Sequence, residues 1–161
     1  MLKHSPLMLL LLIAVLSAAP TTYSQHYTGT DGPPIRFHTV LSADEQSAPT
    51  TSPGVGCALF VLDRETLQLT WTVTYAKLTS AATAAHVHGP QTPGGNAGVL
   101  FDLAPDGMRS PLKGSIVLND GQLSYLLTGR TYVNIHTTRY PPGELRGQIM
   151  RLRPEQTDVT C

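Results

Sequence analysis

The chain has 161 residues, of which 41% are hydrophobic, enough for one domain with a core of its own. Its 11 basic and 11 acidic residues balance to a formal net charge of zero, and charged residues make up only 14% of the chain. Such a near-neutral surface gives no electrostatic basis for binding nucleic acid or an anionic membrane.

The N-terminus has the layout of a secretory signal peptide. Lys3 and His4 precede an apolar run from Leu7 to Leu16, which is followed by three small residues at 17–19. The run is about half as long as the roughly 20 residues that span a bilayer, and no later segment is apolar enough to cross one. We therefore expect residues 1–24 to be a signal peptide, with cleavage at 18 or 19 as the alternative, and the mature protein to be secreted and extracellular.

The chain contains two cysteines, Cys57 and Cys161. An even number of cysteines in an exported chain is most simply explained by one disulfide bond. Two free thiols, or a bridge to another molecule, are the alternatives. No pair of cysteines has the spacing of a zinc or thioredoxin-like motif.

The first half of the chain predicts strands joined by polar loops. Residues 25–34 form a flexible lead-in, residues 35–41 alternate as a first strand, and residues 42–56 are a loop rich in Ser, Thr, Pro and Gly. Residues 57–62 (CALFVL) are a dense apolar run, typical of a strand covered on both faces. Residues 67–75 alternate strictly between apolar and polar side chains, which predicts a long antiparallel strand. This strand is expected to form a hairpin with the strand at residues 57–62.

The second half continues the same pattern with one interruption. Strands are expected at residues 84–88, 99–103 and 112–118, with a Gly/Pro-rich loop at 89–98. A short helix is expected near residues 120–128, with Asp120 as its N-cap and Gly129 as its C-terminal stop.

Residues 131–137 and 144–152 predict the last two strands, and residues 154–161 a polar tail. The pattern as a whole indicates an all-β domain at residues 35–153. We expect an antiparallel Greek-key sandwich or barrel of about eight strands with the one short helix.

Three histidines carry the strongest functional signal. His86 and His88 lie on one strand face because strand side chains alternate with period two, and His136 shares a face with Asn134 in a later strand. Three strand imidazoles are a familiar way to hold copper or zinc. The competing interpretation, which the sequence alone favours, is a structural network.

In that network the histidines would bond to Asn96, Asn134, Glu144 or backbone groups. If a metal binds, Asp102 or His38 would be the fourth ligand. Geometry separates the two interpretations, because a metal site requires the three rings to converge on one point with ring nitrogens that have no other partner.

Glu144 and Arg146 are two residues apart in a predicted strand, so they are expected on the same side. A carboxylate close to a guanidinium could be an ion pair that orients a ligand, but more often such a pair is structural or simply solvated. No motif for nucleophilic catalysis or phosphate binding is present, so an enzyme is the less favoured class.

Several ordered motifs resemble the CHRD domain, the domain named after chordin. They are residues 86–90 (HVHGP), 93–98 (PGGNAG), 129–137 (GRTYVNIHT) and 140–149 (YPPGELRGQI). The resemblance runs from about residue 36 to residue 150. A weaker similarity links the His-x-His strand to copper/zinc superoxide dismutases, although the 89–98 loop contains no His, Asp or Glu.

The resemblance implies an extracellular β-domain. We expect a secreted, non-catalytic binding or structural module whose partner is an extracellular protein or matrix ligand. The alternative is a copper- or zinc-binding protein, with copper favoured and a superoxide-dismutase-like redox role if the metal keeps an open coordination position. Modulation of growth factors such as bone morphogenetic proteins ranks last, since the chain has no cysteine-rich module of the chordin type.

Overall fold

The computed structural model describes residues 32–48, 50–156 and 159–161. The predicted signal peptide and most of the predicted lead-in lie outside these residues. In chain order the elements are β1 (Ile35–Ser42), β2 (Val55–Leu62), β3 (Gln68–Ala76), β4 (Ala82–His88), β5 (Val99–Asp102), β6 (Leu112–Val117), α1 (Asp120–Leu127), β7 (Tyr132–Thr137), β8 (Leu145–Gln148) and β9 (Met150–Arg151).

The strands form one antiparallel sheet in the order β5-β4-β7-β8-β1-β2-β3-β6, and β9 also pairs with β1. Only Ile149 separates β8 from β9, so the two act as one interrupted strand. The predicted all-β fold with about eight strands and one helix is confirmed. The order of the strands in the sheet differs from their order along the chain, since β7 lies between β4 and β8. The sheet curls into a half-barrel around the core.

Alternation along each strand builds that core. Phe37 of β1, Phe60 of β2 and Trp71 of β3 all point into the curled sheet and are buried. The Trp71 Nε1–H donates a hydrogen bond to the carbonyl oxygen of Leu103 at 3.0 Å. The expectation that β2 is covered on both faces is wrong, because β2 alternates like its neighbours and leaves Val61 exposed.

The helix forms where it was predicted but begins one residue earlier. Asn119, not Asp120, is the N-cap, because its backbone is extended and its side chain accepts a hydrogen bond from the Gln122 N–H. The Gln122 side chain bonds back to the Asn119 N–H and completes a capping box. Gly129 ends the helix with a φ of 67°, in the left-handed region that favours glycine.

The disulfide joins Cys57 of β2 to Cys161 across a sequence separation of 104, which confirms an intramolecular bridge. Among the described residues, no helix is long and apolar enough to cross a membrane.

The sheet has a second buried surface, on the face of β4, β7 and β8 that points away from the core. Tyr132 and Asn134 of β7 lie on this face, and both are buried although their side chains carry polar groups. Two loops cover them, the 43–54 loop through its described residues 43–48 and 50–54, and the loop at residues 89–98, and a hydrogen bond of 2.8 Å from Ser47 to Asn96 connects the two. This polar face therefore lies outside the core, beneath these loops.

Candidate metal centre

Strand register brings the three predicted histidines together. In the β4–β7 ladder His86 is opposite Asn134 and Ala84 is opposite His136, so His136 lies diagonally next to His86 on the same face. The ring centres are 5.1 Å apart for His86 and His136, and 5.7 Å apart for each of the other two pairs. One nitrogen from each ring lies within 4.8 Å of the other two. We call these residues the trihistidine cluster.

Loop carbonyl groups fix the orientation of two of the rings. His88 Nδ1 lies 3.0 Å from the carbonyl oxygen of Ala97, and His136 Nδ1 lies 2.8 Å from that of Pro141. A carbonyl oxygen only accepts hydrogen bonds, so each Nδ1 carries the proton and each Nε2 carries a lone pair. Histidines that bind metals are usually held in this way, with the second ring nitrogen bonded to a backbone carbonyl.

The remaining buried nitrogens have no partner. His86 Nδ1, His88 Nε2 and His136 Nε2 are buried and make no hydrogen bond to the described residues. Buried polar atoms without partners are rare in folded proteins because each one costs free energy. Three of them in one cluster call for a shared partner, and a metal ion can accept one lone pair from each ring.

The donor set also fits the chemistry of a metal ion. Copper and zinc both accept neutral imidazole, at about 2.0–2.1 Å for zinc. Ligands at that distance are separated from one another by roughly 3.3–3.6 Å. Ring nitrogens within 4.8 Å of one another therefore need only a small inward rotation of the side chains to bind one ion.

Burial keeps His88 and His136 of the cluster neutral. Removal from water lowers the pKa of His88 and of His136 below the ordinary histidine value, because it disfavours the charged imidazolium. The bond from each ring to its loop carbonyl opposes this shift, while the proximity of His86 lowers both pKa values further. Both rings are therefore deprotonated at neutral pH, the form that binds metals.

Neither predicted fourth ligand belongs to the cluster. Asp102 is opposite His86 in the β4–β5 ladder, but its Oδ1 accepts a hydrogen bond from the Ala104 N–H at 2.9 Å. His38 groups instead with the disulfide-bonded Cys57. Within the described part of the chain, the cluster provides three histidine nitrogens and no carboxylate.

A stacked column of side chains supports the cluster on one side. The Tyr132 ring is parallel to His88 within 9°, with centres 5.0 Å apart, and the Arg146 guanidinium carbon lies 3.7 Å from the Tyr132 centre. Since β7 lies between β4 and β8, Tyr132 separates the other two side chains. The Tyr132 hydroxyl also accepts a hydrogen bond from the Ala97 N–H at 3.0 Å. This role of Tyr132 was missed, although its position two residues before Asn134 placed it on the same face.

The predicted bonds between the histidines and the two asparagines do not form. Asn134 accepts a hydrogen bond from Gln46 at 2.8 Å and donates one to the Pro142 carbonyl at 3.0 Å. Asn96 accepts one from Ser47. Both asparagines therefore hold the covering loops in place, while His88 and His136 bond to backbone carbonyls.

The expected pairing of Glu144 with Arg146 is wrong. Glu144 precedes β8, is fully buried, and accepts hydrogen bonds from Ser52, Thr79 and Thr137. Burial alone would raise the pKa of Glu144, but these hydrogen bonds outweigh it and hold the pKa below the ordinary value. Arg146 instead lies over Tyr132. The two side chains therefore serve separate parts of the structure.

A comparison with protein families matches residues 37–149 to the CHRD domain, which covers more than half of the chain. No curated protein and no solved structure matches the chain significantly.

Proposed function

This chain belongs to the CHRD domain family, and from that premise we propose that it is a secreted binding module whose ligand is a copper or zinc ion, held by His86, His88 and His136. CHRD domains are typically extracellular, and the disulfide suits an oxidising compartment. The proposal is for metal binding without turnover.

One observation carries the proposal. Three imidazole rings each place one nitrogen within 4.8 Å of the others, and each ring has a buried nitrogen without a partner among the described residues. A purely structural network would satisfy those nitrogens with hydrogen-bond donors, as the network around Glu144 satisfies its carboxylate. Backbone carbonyls of the 89–98 loop, at Ala97, and of the β7–β8 connection, at Pro141, act as acceptors for the opposite side of two rings, which supports the tautomer that ligation requires.

The experiment is a metal titration of the mature protein. Purified protein is incubated with Cu(II) or Zn(II), freed of unbound metal by gel filtration, and measured by elemental analysis. We expect one ion per chain in the wild type, and a loss of affinity in His88→Ala that exceeds the roughly tenfold to hundredfold cost of removing a residue that only orients a ligand. His38→Ala is the matched control, since His38 lies outside the trihistidine cluster.

Wild-type protein that retains no metal, or a His88→Ala variant with unchanged stoichiometry and affinity, would overturn the proposal. Equal losses in the His88→Ala and His38→Ala variants would do the same, because they would place the ion outside the cluster.

A further inference from the structure

Arg146 is a buried cation without an ion pair. Its side chain is 1% exposed, and Nη1 donates to the Gly95 carbonyl at 2.7 Å and, at 3.4 Å, to Asn96 Oδ1. Nη2 is buried and has no partner among the described residues. Glu45 is the acidic group that acts on Arg146 electrostatically, but it is exposed and forms no salt bridge with it. Among the described residues, the positive charge of Arg146 therefore has no ion-pair partner.

That charge lies close to the trihistidine cluster. The ring centres of His88 and Tyr132 are 5.0 Å apart, and the guanidinium carbon of Arg146 lies 3.7 Å from the Tyr132 ring centre. The guanidinium therefore lies within about 9 Å of the His88 ring centre. Tyr132 fills the intervening space and excludes water from it, since it is 2% exposed. Water therefore screens the interaction less than it would at the surface.

The cluster itself supplies no anionic ligand to a metal ion. Its ligands are three imidazoles, and Asp102, which is opposite His86 in the β4–β5 ladder, is exposed to solvent and accepts a hydrogen bond at Oδ1 from a backbone N–H. No negatively charged ligand would offset the charge of a bound ion in this partly buried site. The cost of burying an ion rises steeply with its charge, so a neutral ligand set next to a buried cation favours the ion with the smaller charge.

We propose that Arg146 is a specificity-determining residue that makes the trihistidine cluster select Cu(I) over divalent ions such as Zn(II). This inference rests on the proposed function, because it assigns the charge of the ion that the same cluster binds. Three imidazole ligands suit Cu(I), which accepts three-coordinate geometry, and Arg146 repels a divalent ion twice as strongly as a monovalent one.

The expected size of the effect follows from Coulomb's law. At about 9 Å, with an effective dielectric constant of about 20, one unit of extra metal charge changes the affinity by roughly tenfold to twentyfold. Removal of the Arg146 charge should therefore lower the ratio of the Zn(II) dissociation constant to the Cu(I) dissociation constant by about tenfold.

The test measures that ratio on the mature protein. Cu(I) affinity is obtained anaerobically by competition with a chromophoric Cu(I) chelator, and Zn(II) affinity by competition with a zinc indicator. Arg146→Gln removes the charge, and Arg146→Lys keeps it while removing the planar group. Arg130→Gln is the matched control, because Arg130 is exposed and lies over a different aromatic ring, that of Tyr125, at 5.8 Å.

A fourth variant neutralises Arg146 without removing it. Asn96→Asp keeps the acceptor oxygen that Arg146 and Ser47 both use, and adds a negative charge beside the guanidinium. Asn96 is exposed, so this variant is expected to fold even if Arg146→Gln does not.

We expect the ratio to fall by about tenfold in Arg146→Gln, to fall by a smaller factor in Asn96→Asp, and to stay unchanged in Arg146→Lys and Arg130→Gln. A merely structural role would weaken both ions together and leave the ratio unchanged, which would overturn the inference. Wild-type protein that binds both ions, but with no ratio change in Arg146→Gln or Asn96→Asp, overturns this inference alone. Wild-type protein that binds neither ion overturns the proposed function as well.

Discussion

Glu144 gives the sharpest prediction about stability. Its buried carboxylate accepts hydrogen bonds from the Ser52 hydroxyl at 2.6 Å, from the N–H and hydroxyl of Thr79 at 2.7 and 2.9 Å, and from the Thr137 hydroxyl at 2.6 Å. These donors come from the 43–54 loop, the loop between β3 and β4, and the end of β7. One carboxylate therefore ties three segments beside the trihistidine cluster.

The cost of changing Glu144 can be worked out from those bonds. Glu144→Ala leaves four donors without a partner in a buried site, which we expect to destabilise the protein by about 3–5 kcal/mol. Glu144→Gln keeps the shape and one acceptor oxygen, and the two threonine hydroxyls can rotate to accept from the new amide. We therefore expect a smaller cost for that variant, about 2 kcal/mol.

Urea unfolding of both variants, followed by circular dichroism, measures these costs. The pH dependence gives an independent check. The folded pKa of Glu144 is below its ordinary value of 4.5, so its contribution to stability is present above pH 4.5 and is lost as the pH falls below it. The difference between wild type and Glu144→Gln should therefore shrink in acid. A Glu144→Ala cost below about 1 kcal/mol, or a Glu144→Gln difference that does not change with pH, would refute this reasoning.

Three further predictions concern packing, the disulfide and the histidines. Gly147→Ala should cost about 3 kcal/mol in urea unfolding, because its Cβ would collide with a backbone carbonyl of β1, whereas the control Gly98→Ala has open space and should stay within about 0.5 kcal/mol of wild type. Cys57→Ser should lower the free energy of unfolding by up to about 4–5 kcal/mol, since the bridge closes a loop of 104 residues, and a loss below about 1 kcal/mol would contradict this. The lowered pKa values of His88 and His136 predict that metal-free protein loses stability as the pH falls below 6.5, and that bound metal is released over the same range. Thermal melts and metal retention measured between about pH 7.5 and 4.5 test both effects. Exposed histidines would give no such loss, and that result would contradict the prediction.

Much of the fold was predictable because its strands alternate. The strict pattern at residues 67–75 predicted β3 and its pairing with β2, and the leucines before Gly129 predicted the helix. The N-cap was placed one residue late because Asn119 and Asp120 are both good capping residues. Only the extended backbone at Asn119 and the capping box with Gln122 distinguish them.

The candidate site was predictable in part, for the same reason. Period-two alternation placed His86 and His88 on one face and His136 on the face of Asn134, but it does not give the register between strands about 50 residues apart in sequence. The orientation of the rings depends on carbonyl groups of two loops, at Ala97 and Pro141, whose paths no periodic pattern describes.

The unpaired charge of Arg146 could not be read from the sequence either. Glu144 lies two residues away and was the natural partner in a regular strand. In the structure β8 begins only at Leu145, and the hydroxyls around Glu144 occupy its carboxylate completely. Arg146 therefore lies over Tyr132 without a carboxylate, a result of tertiary packing rather than of local spacing.

The central claim is that one ion binds to three particular histidines. The most direct measurement is a crystal structure of metal-loaded protein, with anomalous diffraction recorded at the absorption edge of copper or of zinc. We expect a single anomalous peak bonded to His86, His88 and His136, with metal–nitrogen distances of about 2.0–2.1 Å. A peak elsewhere on the protein, or three histidines that keep their present separations around ordered water, would contradict the claim.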